Sequence, residues 1–307
     1  MKSKKLLKLL YYFEDHGLLN WLPDAAYLKL IYRARVGTRL DLKDPKTFNE
    51  KLQWLKLHDR KPEYTQMVDK IEAKKFIAGI VGEEYVIPTL GVWERFEDID
   101  FDALPDQFVL KCSHDSGGLV ICRDKSKLDK AAAKQKIEKS LKRSYYNHGR
   151  EWPYKNVKPR ILAEQYMKDD NDQSGDPATT DYKFFCFGGV PKIMYIAKDK
   201  SNDPRTDYFD MDFNHLPIKV RDPNADIPPQ KPKQFEEMKE LASVLSKGFV
   251  HLRVDFYIFN NRVYVGELTF FHCSGLSPLT PEEWNKKCGD WIDLTSLSAN
   301  GTQGHKK

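Results

Sequence analysis

The sequence predicts an α+β fold in which the strands pair mainly antiparallel. Helical periodicity dominates the first third of the chain, whereas short apolar runs that are typical of strands begin at Gln107. Two pairs of apolar runs are separated by the dipeptides Gly188-Gly189 and Asn260-Asn261, which favour the tight turns of β-hairpins. Helices that are mixed with hairpins in this way indicate an α+β architecture.

Helix signals appear early in the chain. Thr47 and Glu50 form a capping box, in which the hydroxyl binds the third backbone N–H and the carboxylate reaches back to the cap. Phe48, Leu52 and Leu55 then recur at helical spacing. Further helices are predicted over residues 68–80, 126–146 and 234–247.

Strand signals fill most of the remaining chain. The apolar runs that we interpret as strands cover residues 108–110, 119–121, 161–163, 181–187, 191–197, 249–259 and 262–271. Residues 168–180 are polar and rich in aspartate, so we predict a loop there, and the polar residues 296–307 are predicted to fray.

Composition excludes several classes of protein. The 307 residues include 50 basic and 45 acidic side chains, and the net charge of +5 is too small to favour a nucleic-acid partner. Such a mild excess suits anionic substrates such as nucleotides or acidic glycans. The five cysteines are odd in number and none forms a C-x-x-C pair, so we expect reduced thiols rather than disulfides or a thiolate zinc site.

The first residues leave two interpretations open. Residues 1–13 read MKSKKLLKLLYYF, which has a basic start but lacks the continuous apolar run and the cleavage site of a signal peptide. As a basic amphipathic helix, this segment can contact an anionic inner membrane leaflet, or it can simply pack on the domain. Because no run of about 18 apolar residues occurs, we expect a cytoplasmic protein, with peripheral membrane contact as the open alternative.

One strand pair carries the most chemistry. Apolar and polar residues alternate over residues 250–258, so Arg253 and Asp255 share the face opposite the apolar set. Glu267 and Thr269 share one face of the next strand. Two carboxylates that meet repel each other unless a cation lies between them, and Mg²⁺ prefers such oxygen ligands together with nucleotide phosphates. Arg253 adds a forked donor for a phosphoryl or acyl-phosphate oxygen.

This metal interpretation depends on the register of the hairpin. A two-residue turn at Asn260-Asn261 places Glu267 opposite Val254, on the wrong face. A loop of odd length or a β-bulge restores Asp255 opposite Glu267, and of these we predict the odd loop. The alternative interpretation is a solvated face of acidic and basic side chains without a metal.

A lysine before a glycine-containing loop is the second candidate element. Lys111 ends an apolar run, and the loop over residues 113–118 can cradle phosphates with its backbone N–H groups. The sequence contains neither a Walker P-loop nor a dinucleotide-binding glycine motif. The loop also looks like the segment around a serine-protease nucleophile, but no histidine occurs in a matching context, and we reject that interpretation. Four histidines are isolated and are interpreted as ordinary core or surface residues: His114, His148, His251 and His272.

Taken together, these motifs resemble the ATP-grasp superfamily, and in particular its TupA-like branch of teichuronopeptide biosynthesis. The resemblance extends over roughly residues 22–294. It is carried by segments in a fixed order, at residues 45–54, 69–70, 109–118, 149–154, 181–185, 253–255 and 266–269. Several ordered motifs are far more specific than any one of them.

The resemblance implies a nucleotide site. Lys74 and Lys111 are the implied phosphate-binding lysines. Residues 113–118 correspond to a loop that closes over the triphosphate, and residues 164–167 correspond to a hinge that binds adenine. The implied cofactor-binding residues are therefore Lys74, Lys111, Ser113, His114, Asp115, Ser116, Gly117, Gly118, Glu164, Gln165, Tyr166 and Met167.

The resemblance also implies a catalytic centre that uses ATP and Mg²⁺. Asp255 and Glu267 are the implied Mg²⁺ ligands, and Thr269 stands where most ATP-grasp enzymes place an asparagine ligand. Lys183 is an implied phosphate or substrate contact. Arg253 is the residue that we expect to stabilise a tetrahedral oxyanion.

The implied architecture divides the chain into three subdomains and a tail. A mainly helical substrate domain covers residues 1–105, and a small lid subdomain covers residues 106–167. A larger antiparallel-sheet subdomain, for metal and nucleotide, covers residues 168–295. The tail covers residues 296–307.

The implied activity is the ATP-dependent ligation of a carboxylate to an amine through an acyl phosphate. The implied substrates are a uronic-acid-containing cell-surface polysaccharide, or its precursor, and an amino acid or another amine. A glycosyltransferase is one alternative, because the D-x-D spelling of such enzymes occurs at Asp210-Met211-Asp212, although within an alternating strand pattern. A non-catalytic ATP-binding scaffold is the other alternative.

Overall fold

The computed structural model describes residues 4–115, 117–168, 180–198, 203–295 and 297. Residues 1–3, Ser116, most of the predicted loop at 168–180 and nearly all of the predicted tail lie outside these ranges. The helices are α1 (Lys4–Asp15), α2 (Asp24–Arg35), α3 (Phe48–His58), α4 (Pro62–Val68), α5 (Glu72–Val81), α6 (Lys130–Leu141), α7 (Phe235–Leu245) and α8 (Glu282–Asp290). The strands are β1 (Thr89–Trp93), β2 (Phe108–Cys112), β3 (Leu119–Cys122), β4 (Ile161–Gln165), β5 (Asp181–Phe187), β6 (Val190–Lys198), β7 (Arg205–Asp210), β8 (His215–Leu216), β9 (His251–Phe259) and β10 (Arg262–Thr269).

Two sheets form the framework of the described chain. The smaller sheet has the strand order β1-β4-β2-β3, and the larger sheet has the order β10-β9-β5-β6-β7-β8. Every pair of neighbouring strands in these two orders is antiparallel. The predicted α+β fold with mainly antiparallel strands is therefore confirmed.

The smaller sheet, which we call the lid sheet, buries one face and presents the other to a cleft. Phe108 and Leu110 of β2 are fully buried and pack with Ile137 of α6 in one core cluster. Because side chains alternate along a strand, Lys111 lies on the other face. The register between β2 and β4 places Glu164 on that same face. The lid sheet thus carries two charged side chains toward the cleft.

The lid sheet begins earlier than the lid subdomain that the sequence places at residue 106. Strand β1 pairs with β4, and Phe96 and Phe101 pack in the same core cluster as Phe108. Residues 89–104 therefore pack with the lid rather than with the helices of the first third. β1 is an edge strand with largely exposed side chains, so its sequence lacks the apolar alternation of a half-buried strand.

The larger sheet separates an apolar face from a row of charged side chains. Phe184 of β5 is fully buried and packs against Phe235 of α7. In the neighbouring register positions, Lys183 of β5 lies beside Asp255 of β9, and Asp255 lies beside Glu267 of β10. Residues that are directly opposite in an antiparallel pair share a face. Three titratable side chains therefore form a row across three strands.

A two-residue turn and a β-bulge together set this row. Asn260 and Asn261 have φ values of 49° and 61°, which fit the type I′ turn of a two-residue hairpin loop. The ladder then shifts at Gly266, so that Asp255 lies opposite Glu267. The predicted odd loop is wrong. The bulge, which was the alternative, brings these two residues directly opposite each other.

The helices of the first third follow their local signals with one correction. The capping box forms, since Glu50 N donates to Thr47 Oγ1 at 3.3 Å and Thr47 N donates to Glu50 Oε2 at 3.0 Å. The helix that is predicted over residues 68–80 instead begins at Glu72. The Asp69 side chain accepts a hydrogen bond from the backbone two residues on, at 2.9 Å, and this local bond favours a turn over a continuous helix.

Helix α1 packs one face on the domain and exposes another. Leu10 and Phe13 pack against the core cluster of the first helices, whereas Leu9 and Tyr12 are 49% and 53% exposed. None of the described helices combines the length and apolarity that crossing a membrane requires. Contact between residues 1–13 and a membrane surface stays a prediction.

Replacement of Gly266 by alanine is expected to destabilise the protein by about 1–3 kcal/mol, as overpacking does. An added Cβ would lie 2.3 Å from a carbon of the Tyr257 ring, so the ring or the bulge must shift. The measurement is the free energy of unfolding in urea.

Gly79→Ala is the matched control. Gly79 lies inside α5, and apart from its chain neighbours and the backbone of its own helix no atom lies within 4 Å of the Cβ position. The control should gain roughly 0.5–1 kcal/mol from better helix propensity. Unchanged stability of Gly266→Ala would contradict a space requirement at the bulge.

Candidate active site

The cleft between the two sheets collects charged residues from both sides. It is lined by Lys70 and Lys74 from the helical segment, by Lys111 and Glu164 of the lid sheet, and by Glu267 of β10. The apolar residues of its wall are Met67, Val68, Ala73, Ile77, Ile87, Val265 and Leu268. The enclosed volume among these residues is about 40 Å³.

Glu164 holds two lysines on the lid side of the cleft. The Lys74 ammonium nitrogen lies 2.7 Å from Glu164 Oε1, and Lys111 forms an ion pair with Glu164 Oε2. Burial raises the pKa of Glu164, but the two lysines outweigh burial and hold that pKa below its ordinary value. Burial also lowers the pKa of Lys74, against the attraction of Glu164. Two ammonium groups around one carboxylate leave an excess positive charge, which suits phosphate.

Asp255 is the centre of a second charged cluster, on the larger sheet. Arg253 binds both carboxylate oxygens, with Nε 2.7 Å from Oδ1 and Nη2 2.8 Å from Oδ2. Lys183 forms an ion pair with Oδ2. Burial raises the pKa of Asp255, but Arg253 and Lys183 outweigh burial and lower that pKa from 3.8 to about 2. Burial lowers the pKa of Lys183, but Asp255 outweighs it and raises that pKa above its ordinary value.

His272 completes this second cluster, although the sequence suggests only an isolated histidine. Arg253 Nη1 lies 2.8 Å from His272 Nδ1. Because a guanidinium can only donate, Nδ1 is the acceptor and the ring is neutral. Burial, with the nearby Arg253 charge, lowers the pKa of His272 well below its ordinary value. His272 is thus a buried core histidine that contacts Arg253, and no spacing in the sequence links the two residues.

The side chains of the glycine loop hold the loop on the lid. Ser113 and His114 direct their side chains to backbone carbonyls. Asp115 Oδ1 accepts hydrogen bonds from the N–H groups of Gly117 and Gly118, both at 3.1 Å. The three polar side chains are buried, so they shape the loop rather than face the cleft. Contact between this loop and phosphates stays a prediction.

Lys70 connects the helical segment to the glycine loop. Its ammonium group donates to Asp115 O, and its backbone N–H donates to Ser113 O at 3.1 Å. The resemblance favours Lys74 as the phosphate contact of this segment, whereas the structure places both lysines on the cleft. Ser116, which is also predicted to bind the nucleotide, lies outside the described residues.

The predicted adenine hinge starts at the end of β4. Gln165 is the last residue of that strand, and its N–H donates to Pro88 O at 3.0 Å. Tyr166 and Met167 follow and are half-buried. The Glu164 side chain is engaged by the two lysines. Adenine binding by this hinge stays a prediction.

Asp210, the first residue of the candidate D-x-D motif, has a local structural role. Its Oδ1 accepts hydrogen bonds from Asp212 N at 3.0 Å and from Asn214 N at 2.8 Å, which fixes the turn between β7 and β8. Neither aspartate is among the residues that line the cleft.

Comparison with known proteins assigns this geometry to a family. A family model described as TupA-like ATPgrasp matches residues 50–293. The chain belongs to the TupA-like ATP-grasp family. Its two antiparallel sheets and the cleft between them are accordingly those of an ATP-grasp fold. No curated protein matched the chain.

Several solved ATP-grasp structures are similar to this chain at low identity. The D-alanine–D-alanine ligase from Bacillus anthracis is 18% identical, with a TM-score of 0.43 over 84% of this chain and 73% of that chain. The D-alanine–D-alanine ligase from Helicobacter pylori is 12% identical, with a TM-score of 0.42 over 81% of this chain and 67% of that chain. The ATP-grasp ligase PsnB, complexed with a minimal precursor, is 11% identical, with a TM-score of 0.41 over 81% of this chain and 68% of that chain.

Mg²⁺ is the ion that the ATP-grasp family implies, and the residues that are present fit it. The bulge places Asp255 directly opposite Glu267 on neighbouring strands. Thr269 follows two residues later, and its hydroxyl accepts a hydrogen bond from Arg253 Nη2 at 3.0 Å. Hard oxygen donors of this kind suit Mg²⁺. Within the described ranges, no group of three His, Cys, Asp or Glu residues is placed to hold an ion, so nucleotide oxygens would have to complete the ligand set.

Acid is expected to remove the stabilisation that the ionised Asp255 provides. Its pKa is about 2 in the folded chain against an ordinary 3.8, so this contribution is complete above about pH 4 and is lost as the pH falls toward about 2. The expected loss is roughly 2 kcal/mol. The measurement is the free energy of unfolding of wild type and Asp255→Asn across that pH window. The free energy of unfolding should fall more for wild type than for the variant as the pH decreases. Parallel pH curves for the two proteins would contradict a lowered pKa of Asp255.

Proposed function

We propose that this chain is an ATP-dependent ligase that joins a carboxylate to an amine through an acyl phosphate. The observation that carries the proposal is a pair of charged clusters, one on the lid wall of the cleft and one on the larger sheet next to Glu267, which lines the cleft. Glu164 gathers two lysines on the lid wall. Asp255 gathers Arg253 and Lys183 on the larger sheet, opposite Glu267.

The lid wall suits the phosphates of ATP. Lys74 and Lys111 share one carboxylate, so phosphate oxygens can replace part of that pairing without leaving either ammonium group unpaired. The enclosed volume of about 40 Å³ is far smaller than the roughly 300–1,000 Å³ of ligand sites. We therefore propose that the lid moves away from the larger sheet before a nucleotide enters, and that its return excludes water.

The charged residues of the larger sheet suit the γ-phosphoryl group that is transferred from ATP. Asp255 and Glu267 would hold Mg²⁺, which supplies positive charge against the phosphoryl group when it is bound. Arg253 donates to Asp255, His272 and Thr269 through four N–H groups. A guanidinium has five N–H groups, so among the residues that the structure describes these contacts leave one N–H on Nη1. We assign that N–H to the oxyanion of the tetrahedral intermediate.

The reaction follows from these assignments. A substrate carboxylate oxygen attacks the γ-phosphorus of ATP, the bond to the β-phosphate oxygen breaks, and ADP leaves. The amine nitrogen then attacks the acyl carbon, loses a proton to solvent and expels inorganic phosphate, so that an amide forms. Lys183 lies beside Asp255 and offsets charge on the transferring group. The closed lid prevents hydrolysis of the acyl phosphate.

For the substrates, we propose the uronic-acid carboxylate of a cell-surface polysaccharide or its precursor, and an amino acid or another amine. The resemblance to the TupA-like branch supports this class. The net charge of +5 agrees with an acidic glycan. We expect the reaction on the cytoplasmic side of the membrane, where ATP is available.

Phosphate release from ATP and Mg²⁺, screened against pairs of acids and amines that include uronic-acid sugars, tests the proposal. Release should depend on one acid–amine pair. It should fall by about 10²–10³-fold in Glu267→Gln, because the lost carboxylate belongs to the row with Asp255.

Asp210→Asn is the matched control for this assay. Asp210 lies outside the residues that line the cleft, and an amide oxygen can still accept the two backbone hydrogen bonds of the turn, so this variant should keep the wild-type rate. Full turnover by Glu267→Gln would refute the proposed site. Binding of a nucleotide sugar without any ATP turnover would point to a glycosyltransferase instead.

A further inference from the structure

Helix α3 buries a polar stripe. Asn49, Gln53 and Lys56 lie on one helical face, and each is 0% exposed. A helix on the surface of a domain normally turns such residues to solvent, and a lysine is almost never fully buried unless it is paired. The stripe overlaps the segment at residues 45–54, which carries the family resemblance but has no assigned role. Its partners therefore show what the stripe is for.

The stripe binds one turn that lies far along the chain, directly after β10. Lys56 Nζ donates to Ser274 O at 2.8 Å and to Ser274 Oγ at 3.0 Å. Gln53 Nε2 donates to the carbonyls of Ser274 and Gly275 at 3.0 and 2.8 Å. The Lys56 ammonium group also donates to Gly149 O at 2.7 Å. Helix α3 thus fixes the backbone of this turn at several points.

The backbone of the turn is unusual. Cys273 and Ser274 have φ values of 47° and 54°, in the left-handed region that residues with a side chain rarely adopt. Gly275 follows with a φ of 61°. Such conformations persist only where the surrounding structure over-determines them. Lys56 and Gln53 supply this constraint, because they bind the carbonyls of the left-handed residues.

Glu151 offsets the buried charge of Lys56. Glu151 is 6% exposed, and it attracts the Lys56 ammonium group electrostatically. The Ser274 hydroxyl accepts a hydrogen bond from Lys56 and is itself hydrogen-bonded to Glu151. A buried lysine without a counter-charge would be strongly destabilising. The pair therefore acts as one unit that encloses the turn.

The turn leads directly to the catalytic cluster. His272 is its first residue, and His272 Nδ1 accepts a hydrogen bond from Arg253 Nη1 at 2.8 Å. Arg253 in turn holds Asp255 through two hydrogen bonds. A displacement of the turn would therefore move His272 and redirect the N–H group that Arg253 offers to a substrate.

We propose that Lys56 is a positioning residue, which holds His272, and through it Arg253, in the orientation that the ligation needs. This proposal rests on the proposed ligase function for its kinetic part. Lys56 is fully buried and is not among the residues that line the cleft, so it acts through the turn rather than on the substrate.

Lys56→Met tests the proposal, because it removes the ammonium group but keeps a long unbranched side chain. We expect kcat for phosphate release to fall by about 10²-fold, as a misplacement of about 1 Å does. The KM for ATP should change little, because Lys74 and Lys111 belong to a separate cluster. Lys51→Met is the matched control on the same helix, since Lys51 Nζ donates to Ile292 O at 2.8 Å and not to the turn. The control should keep both constants, and an unchanged kcat in Lys56→Met would overturn the proposal.

A double variant separates positioning from folding. Lys56→Met alone leaves Glu151 buried without its counter-charge, which lowers stability. Lys56→Met/Glu151→Gln removes both charges and should unfold at a temperature closer to that of wild type. A low kcat in this stable double variant would support the positioning role. Recovery of kcat together with stability would overturn it.

The side-chain ¹⁵N shifts of His272 give a readout that needs no turnover, with assignment by a His272→Gln variant. In wild type, Nδ1 accepts from Arg253, so Nε2 carries the proton. Lys56→Met should move both shifts toward tautomeric averaging, whereas Lys51→Met should not. Unchanged shifts in a folded Lys56→Met protein would overturn the positioning role. A wild-type protein without ATP turnover would refute the ligase function separately, and the shifts would still decide whether Lys56 positions His272.

Discussion

The ionised carboxylate of Asp255, only 1% exposed, is the constraint on which the larger sheet depends. A buried charge is tolerated when it is paired and hydrogen-bonded. Arg253 lies two residues away on the same strand, and Lys183 lies beside Asp255 on the neighbouring strand. Both cations reach the carboxylate because residues two apart on one strand, and residues opposite each other on neighbouring strands, share a face. The sheet therefore fixes the orientation of these three charged side chains through their mutual contacts.

Both sheets pair buried carboxylates with cations. On the lid sheet Glu164 pairs with Lys74 and Lys111, and on the larger sheet Asp255 pairs with Arg253 and with Lys183, which also lies 3.3 Å from Asp181. In the proposed function, the cleft lysines bind the polyphosphate when the lid is closed. Closure of the lid and binding of the nucleotide would then be favoured by the same contacts, because a ligand shifts the equilibrium toward the state that it binds better.

The sequence predicts the local features of the fold better than it predicts contacts between distant residues. The cap at Thr47 and the two hairpins depend on neighbouring residues, so the sequence shows them directly. The bulge depends on the space beside the Tyr257 ring, which no alternation of apolar residues encodes. Arg253 and His272 are 19 residues apart, and Lys56 and Ser274 are 218 apart, so no periodicity connects them. Most site residues came from the resemblance, which did not indicate that the side chains of the glycine loop turn into the lid.

The hairpin that carries Asp255 and Glu267 obeys a rule of parity. Its two-residue turn would by itself send these carboxylates to opposite faces, and Gly266 adds the single residue that restores their common face. Loss of Gly266 together with gain of one residue at the hairpin tip would conserve this parity. Either change alone would invert the face of β10 on which Glu267 lies relative to Asp255. Length variation in this hairpin among relatives should therefore occur as compensated pairs of insertion and deletion.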